Sequence, residues 1–514
     1  LNAWLSSIAS RIRQPGLARV GRAEMKTLLQ IWPEVPVQWA QIVVPSLVSD
    51  SRQVQPGSVF VALAALHHDA RTHIPAALAA GAGAVLAEAG GDWQAHRVIN
   101  GVPVLVVPEL TQRLGEFAAR FHDQPAQAMT VMAVTGTNGK TSIANLLAGA
   151  ALALGQRSAV IGTLGNGFYG ELAASQFTTP DPLQLQRLLA GFRDHGAQLV
   201  AMEASSHGLE QGRMVGTPIH TALFTNLTRD HLDYHGDMAS YAAAKGRLFS
   251  WPGLKAAVIN ADDVQGAHYQ QQLAVGVTCL RYSLQADSNA EIVAESVQPS
   301  LNGLLLQVRT PWGRIELRSP LLGRFNASNL LAVLGGLLTL GYSLEQSAQA
   351  LSTVAPVAGR MQCLRDGQSP LAVVDYAHTP DALEQALKAA REHTEGKLWC
   401  VFGCGGGRDT GKRSEMGRIA ATLADRVVLT TDNPREEAPE SILHDIQQGL
   451  AGRPATIIAD RAEAIAHALK NAASDDVVLI AGKGHETYQE IMGVRYPFND
   501  VEQVRLALNT RSPA

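Results

Sequence analysis

Short apolar runs separated by segments of helical periodicity recur along most of the chain, and this alternation predicts an α/β protein. Ser58 to Leu63 and Ala84 to Ala87 read as strands on either side of the alanine-rich helix Pro75 to Ala80, and the stretch closes near Val104 to Pro108. A helix-like segment, Thr111 to Phe121, leads into the β-branched run Thr130 to Val134, which ends in a glycine-rich turn and a new helix. Leu199 to Met202 and Ala256 to Ile259 repeat the buried-strand pattern. Glu291 to Leu317 alternates instead and carries Asn302-Gly303 and Trp312-Gly313 turn signals, so it predicts an antiparallel excursion. Val354 to Gly359 reads as a linker. Beyond it, Leu371 to Asp375, Leu398 to Phe402, Arg426 to Thr431 and Asp476 to Ile480 alternate with helical patterns, as in a parallel, doubly wound sheet with ligands at the carboxyl ends of its strands. Three domains are expected, over residues 1–110, 111–355 and 356–514.

The chain's 514 residues exceed what one hydrophobic core organises, which supports that division. Hydrophobic residues make up 46% and charged residues 17%, too polar for a membrane bundle, and no apolar run reaches the roughly 20 residues a membrane span needs. Leu1 to Arg13 lacks the basic start, apolar stretch and cleavage site of a secretory signal, so a cytoplasmic protein without membrane insertion is expected. A net charge of −4 gives no electrostatic reason for a nucleic-acid partner and favours small substrates. Cys279, Cys363, Cys400 and Cys404 are scattered, and the nearest pair is one residue too long for a CxxC site, so they read as reduced and structural.

The sharpest local chemistry is TGTNGKT at Thr135–Thr141, where a strand should turn into a helix. Backbone amides of such a turn hold phosphate oxygens; Lys140 would neutralise the β- and γ-phosphates and the Thr141 hydroxyl would meet Mg²⁺. The span between Gly136 and Gly139 is shorter than in the common phosphate loop, and a chance turn is the bland alternative. Glu203 ends the run Leu199 to Met202 and should stand at a strand's carboxyl end, where an acid completes a magnesium site; alone, it would pass for a helix cap. The polar cluster MEASSHGL that holds it is costly beside a buried run unless it has ligands. Further on, NLTRDHLDYH at Asn226–His235 packs two histidines among acids, with His231 the better metal candidate and His235 equally readable as a packed histidine. YAAAK at Tyr241–Lys245 sets a lysine on a helix among small neighbours, ordinarily a solvated position.

These four segments, in this order, resemble the central domain of the Mur ligase family. The resemblance implies a central P-loop mononucleotide-binding ATPase domain followed by a C-terminal Rossmann-like doubly wound sheet. It implies ATP as substrate and Mg²⁺ as cofactor, with Gly136, Thr137, Asn138, Gly139, Lys140 and Thr141 on the phosphates. It further implies that Lys245 is carbamylated and joins Thr141, Glu203 and His231 as a metal ligand. The likeness runs on through GRFNASN at Gly323–Asn329, GRMQ at Gly359–Gln362 and VDYAHTP at Val374–Pro380. By it, Asn329 lies near adenine, Arg360 contacts phosphate and Asp375 the ribose.

In the C-terminal part, GCGGGRD at Gly403–Asp409 could pass for a dinucleotide-binding turn, but Arg408, Lys412 and Arg413 follow at once and the domain's first strand lies earlier. DNPR at Asp432–Arg435 should sit at a strand's carboxyl end, and a structural Asn-Pro turn explains neither its acid nor its arginine. It resembles the motif of the diaminopimelate-adding members. An arginine fork grips a carboxylate where lysine would offer an ammonium, so Arg435 favours meso-2,6-diaminopimelate over L-lysine. AGKGHE at Ala481–Glu486 completes the likeness, implying that Arg408, Asp432, Asn433, Pro434, Arg435, Gly482 and Glu486 bind diaminopimelate, Glu486 at its distal amine. DSR at Asp50–Arg52 followed by PGSVF matches the uridine-binding region, with Ser49 and Ser51 as contacts. Thr178, Thr179, Ser205, Gln211 and Arg213 match residues that hold the muramoyl dipeptide. The partners so implied are ATP, meso-diaminopimelate and UDP-N-acetylmuramoyl-L-alanyl-D-glutamate, joined through an acyl phosphate by a monomer in peptidoglycan precursor synthesis. A folylpolyglutamate synthetase is the related rival, without need of Asp432–Arg435, and an ATP-binding sensor of cell-wall precursors is the rival from another class.

Overall fold

The computed structural model describes residues 25–65, 68–300, 303–367, 369–407 and 410–510. The chain divides into two compact units, one ending at Gln124 and the other running from Pro125. In the first, Val59–Ala62 and Ala84–Glu88 are runs of apolar residues buried on both faces, and they pair in parallel as such strands do. Leu47–Val48 and Val102–Val107 extend the sheet in parallel, and Arg97–Ile99 closes its edge antiparallel. Helix Leu110–Phe121 buries Leu114 and Phe117, with Phe117 stacked on Trp32 at 6.0 Å between ring centroids. The segment expected to begin a new domain at residue 111 therefore packs within this unit.

Among the described residues the second unit holds two large sheets and the two-stranded hairpin Tyr488–Pro497. The larger has eleven strands, and its centre is a parallel core in the order Ser158–Gly162, Leu199–Glu203, Thr130–Thr135, Thr221–Phe224, Ala256–Asn260 and Thr278–Ser283. The expected antiparallel excursion is present as Ile292–Ser300, Gly303–Thr310 and Gly313–Ser319. The chain leaves Thr130–Thr135 for Ser158–Gly162 by skipping a position that Leu199–Glu203 later fills, then crosses to Thr221–Phe224 on the other side. The loops after three adjacent strands thus diverge around the end of Thr130–Thr135, the crevice where α/β sheets bind ligands. Helices Lys140–Ala153 and Arg324–Thr339, rich in Ala and Leu, are buried almost throughout and cover one face of this sheet.

The smaller sheet has the expected parallel core, ordered Leu371–Asp375, Val477–Ala481, Leu398–Phe402, Arg426–Leu429 and Thr456–Ile457, with Gln362–Leu364 antiparallel at its edge. Helices Pro380–Glu392, Gly411–Leu423 and Pro439–Gln448 pack on one face, and Arg461–Asn471 and Asp500–Asn509 on the other. The two sheets of this unit are joined at His393, whose Nδ1 lies 2.6 Å from the Ser300 carbonyl while its Nε2 accepts the Gly323 amide at 2.8 Å. No helix among the described residues is long and apolar enough to cross a membrane. All four cysteines are free, and burial pushes the Cys279 and Cys363 thiols up to about 11 and about 12.

At the linker, Gly359 has φ of +64° and a side chain there would begin 2.2 Å from the His485 amide nitrogen. Backbone presses on backbone, so neither side can yield cheaply. Gly359→Ala is expected to lower stability by about 1–3 kcal/mol in denaturant unfolding; an unchanged midpoint would show that this contact is not needed.

Candidate active site

The phosphate loop follows from the position of its strand. Gly136 and Gly139 both have positive φ, and a side chain at Gly136 would start 1.8 Å from the Thr225 hydroxyl. Thr225 Oγ1 donates to the Asn138 carbonyl at 2.6 Å, and Asn226 accepts the Thr137 amide through its carbonyl at 2.8 Å and the Asn138 amide through Oδ1 at 3.0 Å. The loop is thus braced from the adjacent strand end. Lys140 opens the helix and folds back over the loop, its Nζ 2.9 Å from the Gly136 carbonyl and 2.8 Å from that of Thr137. Burial lowers its pKa, with Glu203 and Asp230 opposing.

Glu203 pairs in register with Val134, which sets its carboxylate beside the first turn of the loop's helix. It is 1% exposed. Its oxygens accept from Thr141 Oγ1 at 3.0 Å, the Thr163 amide at 2.8 Å and Thr163 Oγ1 at 3.2 Å. Among the described residues no cationic side chain lies within 4.0 Å of it. A dry carboxylate and a hydroxyl held together without a cation suit a hard oxygen-seeking metal ion, which fits magnesium at Thr141 and Glu203. Among the described residues no group of three or more His, Cys, Asp or Glu is arranged to hold a metal.

Lys245 is 1% exposed rather than solvated, because its helix turns that face onto the phosphate loop. Its Nζ donates to the Gly136 carbonyl at 2.8 Å, the same oxygen that Lys140 approaches, and lies 4.4 Å from the centre of the Tyr241 ring. Burial, reinforced by the charge of Lys140, holds its pKa well below the usual value for an amine. His231 has φ of +52°, stands 3.4 Å from Asp230, and its ring lies 6.1 Å from that of Tyr241. Tyr241 therefore links Lys245 and His231, while Thr141 and Glu203 form the second pair. His235 bonds Ser206 Oγ at 2.9 Å, a packed histidine.

Thr178, Thr179, Ser205, Gln211 and Arg213 come together beside Glu203. Thr179 Oγ1 donates to the Glu203 carbonyl at 2.8 Å and is 2.9 Å from Ser205 Oγ, and Thr178 meets Thr163 at 3.0 Å. Arg213 donates to the Thr179 carbonyl at 2.9 Å and to Gln211 Oε1 at 2.6 Å. Burial lowers the pKa of this guanidinium, so an anion placed there would be held strongly. Ser49 and Ser51 lie in the first unit, where Asp50 caps the short turn that Ser51 opens and pairs with Arg52 at 2.7 Å.

Asn329 donates to Asn326 Oδ1 at 2.9 Å, and a side chain at Gly139 would begin 2.8 Å from Asn329 Oδ1, so this helix abuts the phosphate loop. Asp375 accepts the Met361 amide at 2.7 Å and the Ala377 amide at 2.8 Å, and burial raises its pKa. Arg360 lies over Tyr376, 5.0 Å from the ring centre, and its buried Nε has no hydrogen-bond partner among the described residues. Its charge also bears on Lys140, as phosphate-binding cations converging on one site would.

In the C-terminal sheet, Asp432 and Asn433 are buried just past the strand Arg426–Leu429. Asn433 Nδ2 donates to Glu486 Oε2 at 2.9 Å. Arg435 adopts φ of +53° and donates to the Gly406 carbonyl at 2.6 Å. Its amide donates to the Glu490 carbonyl at 3.0 Å, and its own carbonyl accepts the Met492 amide at 2.6 Å, so the hairpin Tyr488–Pro497 holds Pro434–Arg435 in this strained shape. A side chain at Gly482 would begin 2.4 Å from Asp432 Oδ2. Burial raises the pKa of Asp432, with Arg461 and Lys483 opposing. Arg408 lies outside the described residues. Thr163, the bracing role of Asn226, Lys483 and the Arg461–Asp500 pair at 2.7 Å escaped the reading of the sequence. Lys483 was within sight, since it sits between two glycines inside a motif already quoted.

Residues 134–337 match the model of the Mur ligase middle domain, and residues 359–484 that of the Mur ligase glutamate ligase domain. A UDP-N-acetylmuramoyl-L-alanyl-D-glutamate–2,6-diaminopimelate ligase of Pseudomonas aeruginosa is 49% identical over 94% of this chain and 98% of its own length. One from Xylella fastidiosa is 50% identical over 94% and 98%. A solved structure bearing the same ligase name superposes with a TM-score of 0.75 at 42% identity, covering 94% of this chain and 99% of that one.

The buried amine has a measurable consequence. Burial lowers the folded-state pKa of unmodified Lys245 below its ordinary 10.5, so this group costs stability below that range and the cost fades as pH rises toward 10.5. Lys245→Met is therefore expected to raise the denaturant midpoint at about pH 7.5 and to lose that gain by about pH 10. An equal effect at both would contradict the buried, desolvated amine.

Proposed function

The chain belongs to the Mur ligase family, and we propose that it adds meso-diaminopimelate to the D-glutamate of UDP-N-acetylmuramoyl-L-alanyl-D-glutamate at the expense of ATP. The observation that carries this reading is the pairing of a braced phosphate loop with a second cluster, Asn433 bonded to Glu486 and Arg435 held nearby in sequence at the end of the C-terminal sheet, in the same unit. A folylpolyglutamate synthetase has no use for that cluster, and a sensor has no use for a pair of buried groups arranged around a transferring phosphate.

In the mechanism, Lys140 and the loop amides hold the β- and γ-phosphates, and Arg360 adds charge through its uncommitted Nε. Asn329 and Asp375 bracket the adenine and ribose. Arg213, Gln211, Ser205, Thr179 and Thr178 orient the dipeptide, and Ser49 and Ser51 take the uridine end. The D-glutamate side-chain carboxylate attacks the γ-phosphorus, ADP departs, and an acyl phosphate forms. The neutral amine of diaminopimelate then attacks the acyl carbon, and inorganic phosphate leaves with the C–O bond. Thr141 and Glu203, with His231 and a carbamate on Lys245, would hold magnesium, which would supply neutralisation of the phosphate charge. Lys245, whose pKa burial lowers, would add as its free amine to CO₂ to give that carbamate and a proton. Arg435 and Arg408 grip the distal carboxylate, Asp432 and Gly482 line its support, and Glu486 takes the distal amine. The enzyme acts as a monomer in the cytoplasm.

ADP release is expected only when both the UDP-dipeptide and diaminopimelate are present; nucleotide binding without turnover would favour the sensor. Lys245→Ala should lose nearly all activity and regain part of it with added short carboxylic acids, and unaffected activity would remove the carbamate. Arg435→Lys should raise the KM for diaminopimelate by about 10- to 100-fold with little change in that for ATP. Equal losses on both substrates would remove its assigned role.

A further inference from the structure

Lys483 is completely buried, yet the chemistry just described does not use it. It lies between Gly482 and Gly484, whose φ values of +118° and +53° turn the loop so that the lysine side chain enters the protein. Both glycines are pressed from outside: a side chain on Gly484 would begin 2.7 Å from Tyr376 Cβ, and one on Gly482 would meet Asp432. The ammonium donates to Asn433 Oδ1 at 3.0 Å and to Glu486 Oε2 at 2.8 Å, and lies 5.7 Å from the centre of the Tyr488 ring. Asn433 Oδ1 also accepts the Glu490 amide at 3.0 Å, and Asn433 Nδ2 donates to the same Glu486 Oε2. The amide of Asn433 is therefore fixed in one orientation. Both bonds to Glu486 land on one oxygen, which leaves Oε1 uncommitted among the described residues. The neighbouring buried cation, Arg461, is already engaged with both oxygens of Asp500 at 2.7 Å. Lys483 is thus the cation that compensates Glu486.

We infer that Lys483 is a positioning residue for the amino-acid substrate: it locks Asn433 and Glu486 as one unit so that the free carboxylate oxygen of Glu486 is presented to the substrate's distal amine. This rests on the reading of this cluster as the diaminopimelate site. A carboxylate whose ammonium partner is removed loses the bond that orients it, and with it its grip on an incoming ammonium. Lys483 itself touches no substrate atom, so its loss should be felt in amino-acid recognition and not in nucleotide chemistry.

The comparison that tests this uses the full chain, with meso-diaminopimelate and 2-aminopimelate, which lacks the distal amine, as alternative acceptors. The native enzyme should prefer diaminopimelate by at least ~10-fold in kcat/KM, the size expected when a buried charged group is left unpaired. Lys483→Met keeps the length and removes the charge. It should raise the KM for diaminopimelate by roughly tenfold or more, leave the KM for ATP and for the UDP-dipeptide within about twofold, and collapse the preference for diaminopimelate to within about threefold. Glu486→Gln should do the same, and Lys483→Met should add little on top of it. A variant that loses all three substrates equally, or that keeps the full preference, would overturn the inference. Should Lys483→Met lose its cooperative thermal transition, Lys483→Gln, which retains a donor toward Asn433, carries the same comparison. Native enzyme that forms no diaminopimelate-dependent product would overturn the reading of the cluster itself, an outcome distinct from a lysine without effect.

Discussion

A carboxylate kept out of water is costly, and the central sheet is arranged around one. Glu203 is buried at the end of its strand, with one hydrogen bond from Thr141 and two from Thr163; among the described residues no cationic side chain lies within 4.0 Å of it, and Lys140 acts on it from farther off. That is a poor resting place for a charge and a good one for a charge awaiting a cation. The strand order makes it possible: Leu199–Glu203 lies next to Thr130–Thr135 in register, so the acid and the phosphate loop emerge side by side. The neighbouring strand Thr221–Phe224 then delivers Thr225 and Asn226 to brace the loop from the opposite side. The phosphate loop, Glu203 and the bracing residues Thr225 and Asn226 all stand at these adjacent strand ends.

The same logic is repeated with other residues in the C-terminal sheet. Val477–Ala481 is inserted between Leu371–Asp375 and Leu398–Phe402, so Gly482 and its successors emerge beside Asp375 and within reach of Asp432. Two acids there are paired with buried cations, Asp500 with Arg461 and the half-buried Glu486 with Lys483. Glu203 has no such partner within 4.0 Å among the described residues, so the two sheets hold their acids differently. Gly359 lies at the linker with its backbone packed on Gly484 and His485, while the charge of Arg360 beside it bears on Lys140 of the phosphate loop.

What the sequence made legible was whatever is encoded within a few residues. The phosphate loop is contiguous, with a strand before and a helix after, and the structure has both. Buried strands announced themselves by unbroken apolar runs, and their ends moved by a residue or two; Arg426–Thr431 stops at Leu429 because Thr430 and Thr431 turn to bond the Ala459 carbonyl. The likeness to a known family ordered the remaining motifs. Contacts that join distant segments left no local trace. Thr163 reaches Glu203 across 40 positions with nothing around it to mark it out, and Asn226, though it opens a recognised segment, reaches Asn138 across 88 positions, a contact that the segment does not encode. Lys245 shows the limit most clearly: its helix pattern alone reads as a solvated lysine, the family likeness singles it out, and packing against the phosphate loop is what desolvates the amine.

Isotope transfer tests the central claim most directly, since an acyl phosphate moves an oxygen atom from one substrate to another. With ¹⁸O in the side-chain carboxylate of the D-glutamate, and with ATP and diaminopimelate present, the inorganic phosphate released should carry one labelled oxygen from the broken C–O bond. Phosphate without label, formed alongside the amide product, would mean that the carboxylate never attacks the γ-phosphorus, and the arrangement around Lys140, Thr141 and Glu203 would need another explanation.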